Sequence, residues 1–149
     1  MKLFLGSDHA GFVLKSEIVK ILNKEPNFEL VDCGCFSSSQ PVDYPDVAVE
    51  VCNKAVRHKA KAMLFCGTGV GMAMAANKVE GIRAVCGVDC FSVKFARLHN
   101  DANVLCLGGR VIGLGLAEML VNLFLRTEFE GGRHLARVEK LKKVHMHFE

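Results

Sequence analysis

A cysteine leads a glycine-rich turn in the middle of the chain. The segment CGTGVG spans residues 66 to 71, follows the apolar run AMLF and precedes MAMAAN, which is typical of a helix. Glycines let successive backbone N–H groups approach one anion, and a thiolate at a helix start can act as a base or a nucleophile. Cys66 beside an oxyanion cradle predicts proton abstraction next to a carbonyl group.

The same turn fits other interpretations. Gly67, Gly69 and Gly71 alternate, so the turn has neither the G-x-G-x-x-G spacing of dinucleotide-binding folds nor the G-K-[ST] of a Walker loop. A plain strand-to-helix turn and a flavodoxin-like or nucleotide-binding module remain as alternatives. A thiol redox protein is disfavoured because no C-x-x-C pair is present, and no second pair joins Cys33 and Cys35 into a zinc site.

Two further segments bring a histidine and an acid or amide together. In SDHAG (7 to 11), Asp8 can cap the following helix, or Asp8 and His9 can face a ligand that carries a hydroxyl and a phosphate. In RLHNDAN (97 to 103), Asn100 and Asp101 can simply end a helix. His99 is a candidate general acid and base because its imidazole titrates near neutral pH.

Three arginines are candidates for holding an anion. Arg133 and Arg137 in GGRHLAR lie four residues apart, on one face of a predicted helix, where two guanidinium groups suit a phosphate. An ordinary solvated basic face explains the same pattern. Arg110, after Gly108-Gly109, is a third candidate, whereas His145 and His147 in the basic tail are expected to have no catalytic role.

Alternating strands and helices must position these residues. Apolar runs predict strands at residues 2–6, 28–34, 61–66, 81–87 and 103–109. Helical periodicity predicts helices at residues 10–24, 46–58, 70–78, 92–99, 114–125 and 133–144. Because the strands are apolar on both faces, the pattern predicts a parallel sheet covered on both sides. The fold class is therefore α/β, a three-layer α/β/α sandwich with a five-stranded, Rossmann-like sheet of undetermined strand order.

The carboxyl ends of the strands are the expected place for a ligand, as in other open α/β sheets. Three groups of polar or glycine residues follow strands: 7–9, 66–71 and 108–110. The His99-Asn100-Asp101 turn ends a helix, so the sequence leaves its side of the sheet open.

Length and composition narrow the class of protein. The chain has 149 residues, 50% of them hydrophobic, which predicts one folded domain. A net charge of +3 and 7% aromatic residues give no basis for nucleic-acid binding. No apolar run is long enough for a membrane span, and no signal peptide is recognised. Seven cysteines, an odd number, predict free core thiols and a cytoplasmic protein.

The combination of motifs resembles one family over nearly the whole chain, from residue 3 to about 140. The motifs are SDHAG, DYPD (43 to 46), CGTGVGM, AANKVEGIRA (75 to 84), ARLHNDANVL (96 to 105) and FEGGRH (129 to 134). They are similar to those of the type B ribose-5-phosphate isomerases, whose superfamily includes galactose-6-phosphate and allose-6-phosphate isomerases. The resemblance implies an aldose–ketose isomerase that interconverts D-ribose 5-phosphate and D-ribulose 5-phosphate through a cis-enediolate.

The resemblance also implies roles for the catalytic residues. Cys66 is the base that moves a proton between C1 and C2, and His99 opens the sugar ring with Asn100 beside it. Some relatives carry serine at position 66 and a glutamate at position 70, so the thiolate version applies here. The loop residues expected around the enediolate oxygens are Gly67, Thr68, Gly69, Val70 and Gly71.

The binding residues and the assembly are implied in the same way. Asp8 and His9 line the sugar and phosphate, Tyr44 lies in a bordering loop, and the phosphate-binding arginines are Arg110, Arg133 and Arg137. Neither a metal nor another cofactor is implied. The expected assembly is a homodimer or homotetramer with the site, and the C-terminal helix at about 133–144, at a subunit interface. A six-carbon aldose phosphate is the alternative substrate.

Overall fold

Strands and helices alternate along residues 1–144, the part of the chain that the computed structural model describes. Within that range the strands are β1 (Lys2–Ser7), β2 (Glu29–Asp32), β3 (Lys61–Cys66), β4 (Ala84–Cys86) and β5 (Val104–Gly108). The helices are α1 (Phe12–Leu22), α2 (Tyr44–Arg57), α3 (Val70–Ala76), α4 (Cys90–Asn100), α5 (Leu114–Arg126) and α6 (Leu135–Lys142). A short 3₁₀ turn, Gly132–His134, precedes α6. His145 and His147 lie outside the described residues.

The five strands form one parallel sheet in the order β2-β1-β3-β5-β4, which confirms the predicted fold class. The chain leaves β1 toward one edge of the sheet and crosses to the other side with β3. Ligands of such sheets bind where the strand order reverses, beyond the carboxyl ends. The register pairs Ser7 with Phe65 and Cys66 with Gly108, so three of the singled-out segments follow neighbouring strands at one edge.

Two apolar cores cover the two faces of the sheet. Along β3, Met63 and Phe65 belong to the core under α1, α4 and α5, whereas Leu64 and Cys66 belong to the core under α2 and α3. This alternation is the period of two that an extended strand imposes on its side chains. The side chain of Cys66 therefore points to the α2–α3 side of the sheet.

Several element boundaries differ from the sequence-based expectation. Helix α2 begins at Tyr44 rather than at Asp46, because Pro45 fits the first turn of a helix, where its missing N–H is not needed. Strand β4 is only three residues long, since it pairs with β5 alone at the edge of the sheet. The last helix begins at Leu135, after the 3₁₀ turn. Within residues 1–144, no helix has both the length and the apolar surface needed to cross a membrane.

Candidate active site

Cys66 is the last residue of β3 and is almost completely buried. The backbone N–H of Gly69 donates to its sulfur over 3.0 Å, so the loop returns on the side chain that precedes it. Gly69 has a φ of 82°, a left-handed conformation that side-chain-bearing residues rarely adopt. The N–H directed at Sγ stabilises negative charge on the sulfur, as a base or nucleophile requires.

The loop after Cys66 packs tightly against the end of β5. A Cβ atom on Gly108 would lie 2.5 Å from the carbonyl carbon of Thr68, which leaves no room for any other residue. Gly109 N–H donates to the Cys66 carbonyl over 2.9 Å, and Arg110 N–H donates to the Gly67 carbonyl over 3.0 Å. The backbone of 66–69 is therefore fixed by its neighbour strand.

Asp8 and His9 stand beside this loop at the end of β1. Asp8 is buried, its N–H donates to the Phe65 carbonyl over 3.1 Å, and its carboxylate accepts from Gly11 N–H over 2.9 Å. The carboxylate thus holds the turn before α1, but it does not cap the helix, whose N-cap is Gly11 without a side-chain hydrogen bond. His9 is half-buried, and its Nδ1 lies 3.5 Å from the Val42 N–H donor.

Tyr44 and Arg110 complete the group around the cysteine. The ring of Tyr44 covers Gly71, where an added Cβ would be 2.9 Å from ring carbons. The side chain of Arg110 lies against Gly67. We refer to this group as the Cys66 cluster; its members are Asp8, His9, Tyr44, Cys66, Gly67, Thr68, Gly69, Val70, Gly71 and Arg110.

His99 lies at the opposite edge of the sheet. Helix α4 begins near the carboxyl end of β4 and runs back along the sheet for 11 residues, a length of about 16 Å. Its end is fixed at the amino edge, because Asp101 pairs with Arg83, the residue before β4, over 2.8 Å. The structure therefore separates His99 and Asn100 from the Cys66 cluster within one chain.

A second group of polar side chains surrounds His99. Its ring stacks on the His134 ring, with centroids 4.0 Å apart and planes 11° apart, and meets the edge of Phe95 at 4.7 Å. The Glu130 carboxylate lies 3.8 Å from His99 Nε2 and 3.5 Å from His134 Nε2. We refer to this group as the His99 cluster; its members are His99, Glu130, Arg133, His134 and Arg137.

Burial and positive charge act on His134 in this cluster. Its pKa is lowered first by desolvation, then by His99 and Arg133, and least by Arg137, while Glu130 opposes these effects. Arg133 and Arg137 are themselves exposed, as an anion-binding pair requires. Asn100 is exposed beside this cluster and lines a cavity of about 430 Å³ with residues such as Ile82 and Leu141.

Comparison with known proteins assigns the chain to a family. The family model for Ribose/Galactose Isomerase matches residues 3–141. The chain belongs to the ribose/galactose isomerase family. Ribose-5-phosphate isomerase B of Escherichia coli is 45% identical over 144 residues, which are 96% of this chain and 95% of that protein. The resemblance read from the motifs is thereby confirmed.

Solved structures of this family have the same fold. Ribose-5-phosphate isomerase B of Clostridium thermocellum superposes with a TM-score of 0.95 at 41% identity, covering all of both chains. The Mycoplasma genitalium enzyme with bound ribulose-5-phosphate superposes with a TM-score of 0.92 at 38% identity, covering 98% of this chain and 97% of that one. A D-erythrulose-4-phosphate isomerase of Mycolicibacterium smegmatis is 45% identical over 87% of each chain.

The sequence analysis did not select Glu130 or His134, although both belong to the family-like FEGGRH motif. The motif itself was the signal that could have found them.

Lys15 was also missed, and nothing in its helical pattern marks it. Its side chain is only 1% exposed, and its Nζ donates to the Asp32 carboxylate over 2.5 Å and to the Cys35 carbonyl over 2.8 Å. Lys15 therefore holds the segment between β2 and α2, which includes Val42, the residue whose N–H approaches His9.

Among the described residues, one group of side chains could supply metal ligands. It consists of His99, Glu130 and His134, whose ligand atoms lie within 4.8 Å of one another. The two imidazole planes are nearly parallel, so their nitrogen lone pairs lie in parallel planes and do not converge. A tetrahedral metal needs lone pairs that converge on one point. The trio as it stands is better suited to sharing protons and charge than to coordinating an ion.

The seven cysteines all lie within residues 1–144, and each is a free thiol. Burial raises the pKa of Cys52 to about 12 and that of Cys106 well above the ordinary value. Burial also raises the pKa of Cys86, which is half-buried beside the loop. These three thiols therefore stay protonated at neutral pH. Cys66 differs from them because a backbone N–H, that of Gly69, donates to its sulfur.

Proposed function

We propose that this chain is an aldose–ketose isomerase that interconverts D-ribose 5-phosphate and D-ribulose 5-phosphate in the non-oxidative pentose phosphate pathway. The observation that carries the proposal is the Cys66 sulfur held at 3.0 Å by Gly69 N–H, at the carboxyl edge of the sheet. The Escherichia coli relative and the ribulose-5-phosphate complex of the Mycoplasma genitalium relative support the choice of substrate.

Cys66 is the proposed base. Its thiolate removes the C2 proton of the open aldose, the electrons of that C–H bond form the C1=C2 double bond, and the carbonyl electron pair moves to O1, giving a cis-enediolate. Returning the proton to C1, while the proton of the C2 hydroxyl passes to O1, gives the ketose. Gly69 N–H already points at the sulfur, so it stabilises the thiolate, and the remaining amides between Gly67 and Gly71, with the Thr68 hydroxyl, hold the enediolate oxygens. One such donor contributes about 3 kcal/mol in other enzymes.

Ribose 5-phosphate reaches the site mainly as a furanose, so the ring must be opened first. His99 donates a proton to the ring oxygen as the C1–O bond breaks, and the C1 hydroxyl loses its proton to Asp8 or to a water. Asn100 stands beside His99. Because His99 and Cys66 lie at opposite edges of the sheet, we propose that a second copy of the chain supplies His99 to each site.

The phosphate-binding arginines follow the same division. Arg110 belongs to the Cys66 cluster, whereas Arg133 and Arg137 belong to the His99 cluster. The substrate phosphate would then be bound by Arg110 and His9 of one copy and by Arg133 and Arg137 of the other copy. Tyr44 would lie at the border of this site. In this arrangement the C-terminal segment 133–144 lies at the interface of a homodimer or homotetramer. Binding energy from the phosphate orients the reacting carbons.

Seven free thiols fit a reducing compartment, and we place the enzyme in the cytoplasm. No step of the proposed reaction needs a metal or another cofactor.

Formation of ribulose 5-phosphate from ribose 5-phosphate, followed in EDTA, tests the proposed reaction. We expect activity in the wild type and a loss of at least about 10³-fold in kcat for Cys66→Ala, with substrate binding largely kept. Near-normal kcat in that variant would remove Cys66 from the mechanism. A folded but inactive wild type would contradict the five-carbon substrate, and four- and six-carbon aldose phosphates in the same assay would then identify the length preferred.

Coexpression of two inactive variants tests the division of the site. Cys66→Ala and His99→Asn chains should together regain about a quarter of wild-type activity, because half of the randomly formed pairs contain one intact site of two. Cys66→Ala with Asp8→Ala is the matched control, since both changes fall in one cluster and no intact site can form. Equal inactivity of both mixtures would place the whole site within one copy.

A further inference from the structure

Among the described residues, Glu130 supplies the carboxylate that pairs with His99. Its oxygen lies 3.8 Å from His99 Nε2. Its backbone N–H donates to the Leu98 carbonyl over 3.0 Å, which ties the segment after α5 to the last turn of α4. The carboxylate is thereby held beside the imidazole by a backbone contact one residue away from His99, although the side chain itself is half exposed.

The position of the His99 ring is fixed from two sides. His134 stacks on one face at 4.0 Å, and the Phe95 ring meets it edge-on at 4.7 Å. His134 is 6% exposed, whereas about a third of the His99 side chain is exposed. Of the two stacked imidazoles, His99 is therefore the one that a sugar can reach.

Hydrogen bonding indicates the protonation state of the His134 ring. Arg133 Nε lies 3.4 Å from His134 Nε2 and donates to it, so that nitrogen is an unprotonated acceptor. Two stacked imidazolium ions beside one carboxylate would repel each other. The lowered pKa of His134 agrees with a neutral ring. Glu130 lies 3.5 Å from His134 Nε2 and 3.8 Å from His99 Nε2. With His134 neutral, the charge of the carboxylate acts on His99 whenever that ring is protonated, and at 3.8 Å the His99 N–H is free to donate elsewhere.

We propose that Glu130 is a positioning residue for ring opening: it acts through His99 by stabilising the protonated form of that ring, and it does not touch the sugar. The inference rests on the proposed function, in which His99 is the acid. When the C1–O bond of the furanose breaks, the electron pair goes to the ring oxygen, which takes the proton from His99. Glu130 lowers the free energy of the imidazolium ion that must be present before that transfer.

Two readouts separate ring opening from the later chemistry. Conversion of ribose 5-phosphate needs both steps. Ribulose 5-phosphate has no ring to open, because its phosphate occupies the oxygen that would close one. Loss of its C1 proton signal in D₂O, followed by NMR, therefore records proton transfer alone. The same protein samples serve for both measurements.

We expect Glu130→Gln to lower kcat for ribose 5-phosphate about 10-fold while the C1 proton loss from ribulose 5-phosphate stays within about 3-fold of wild type. His99→Asn should show the same split with a loss of about 100-fold or more. Because Glu130 acts through His99, the double variant should be no slower than His99→Asn alone. Glu128→Gln, which removes another exposed carboxylate from the same segment, is the matched control and should leave both rates unchanged.

Other outcomes overturn the inference in distinguishable ways. Equal loss in both readouts for Glu130→Gln, or additive losses in the double variant, would show that Glu130 does not act through His99. Wild-type rates for Glu130→Gln would show that it has no role. If His99→Asn itself shows no split between the two substrates, the ring-opening role in the proposed function fails, and this inference fails with it.

Discussion

The Cys66 cluster and the His99 cluster are built by different means. Backbone groups hold the first: Gly69 N–H fixes the sulfur, Gly108 lets the loop touch β5, and two N–H donors from 109–110 fasten it. Side chains hold the second, through a ring stack and a carboxylate, and its two arginines are exposed. In the proposed reaction, a base that must meet one C–H bond needs fixed geometry, whereas side chains that bind a phosphate can order when it arrives.

Gly108→Ala tests the backbone-held Cys66 cluster and should have the largest effect on kcat and on stability. The new Cβ would lie 2.5 Å from the Thr68 carbonyl carbon, so the loop backbone must move. We expect kcat to fall at least about 100-fold, since displacements of this size misplace a reacting group. The free energy of unfolding should fall by about 1–3 kcal/mol, the usual effect of overpacking. Steady-state kinetics and urea unfolding measure the two effects.

Gly115→Ala provides the matched control for that substitution. Gly115 lies in α5, and a Cβ there would meet nothing within 4 Å. Alanine favours a helix over glycine by about 1 kcal/mol, so stability should stay the same or rise. Activity should not change. Normal kcat in Gly108→Ala would show that the loop backbone is not held as tightly as the contact indicates.

Arg137→Ala tests the His99 cluster with an intermediate effect. A hydrogen bond to a charged group contributes about 1.5–3 kcal/mol, so KM for ribose 5-phosphate should rise about 10-fold or more. We expect kcat to change less than about 3-fold, because the fixed base is untouched. Lys140→Ala removes another exposed cation of α6 and should leave KM unchanged. An unchanged KM in Arg137→Ala would exclude that residue from phosphate binding.

Asp89→Ala should have the smallest effect, on the start of the helix that carries His99. The Asp89 carboxylate accepts from Ser92 N–H over 2.7 Å, and this backbone hydrogen bond lowers its pKa. The stabilisation is therefore present above the unfolded pKa of about 4 and is lost as pH falls through the folded value. Thermal unfolding should show a Tm lower by a few degrees at pH 7, a difference that closes in acid. Asp89→Asn, which keeps a capping oxygen, should stay near wild type.

The sequence allowed the fold to be predicted because the fold depends on local signals: apolar runs indicated the five strands. A strand followed by glycines also placed Cys66 at the carboxyl edge of the sheet, while the roles of the Cys66 cluster stay predictions. The edge occupied by His99 could not be predicted, since it depends on the direction in which α4 runs back along the sheet. Lys15 was missed because burial of a lysine depends on Asp32 and the Cys35 carbonyl, which come from distant segments.

The length of α4 bears on how the enzyme responds to its own concentration. The helix begins at Cys90, and the nine residues from there to His99 carry His99 about 14 Å along the helix, away from the edge that holds Cys66. If each site draws on two copies, ring opening requires association, and specific activity falls as the protein is diluted below the dissociation constant of the pair. Proton exchange at C1 of the ketose would fall as well, because Arg133 and Arg137, which hold the phosphate in the proposed site, come from the other copy.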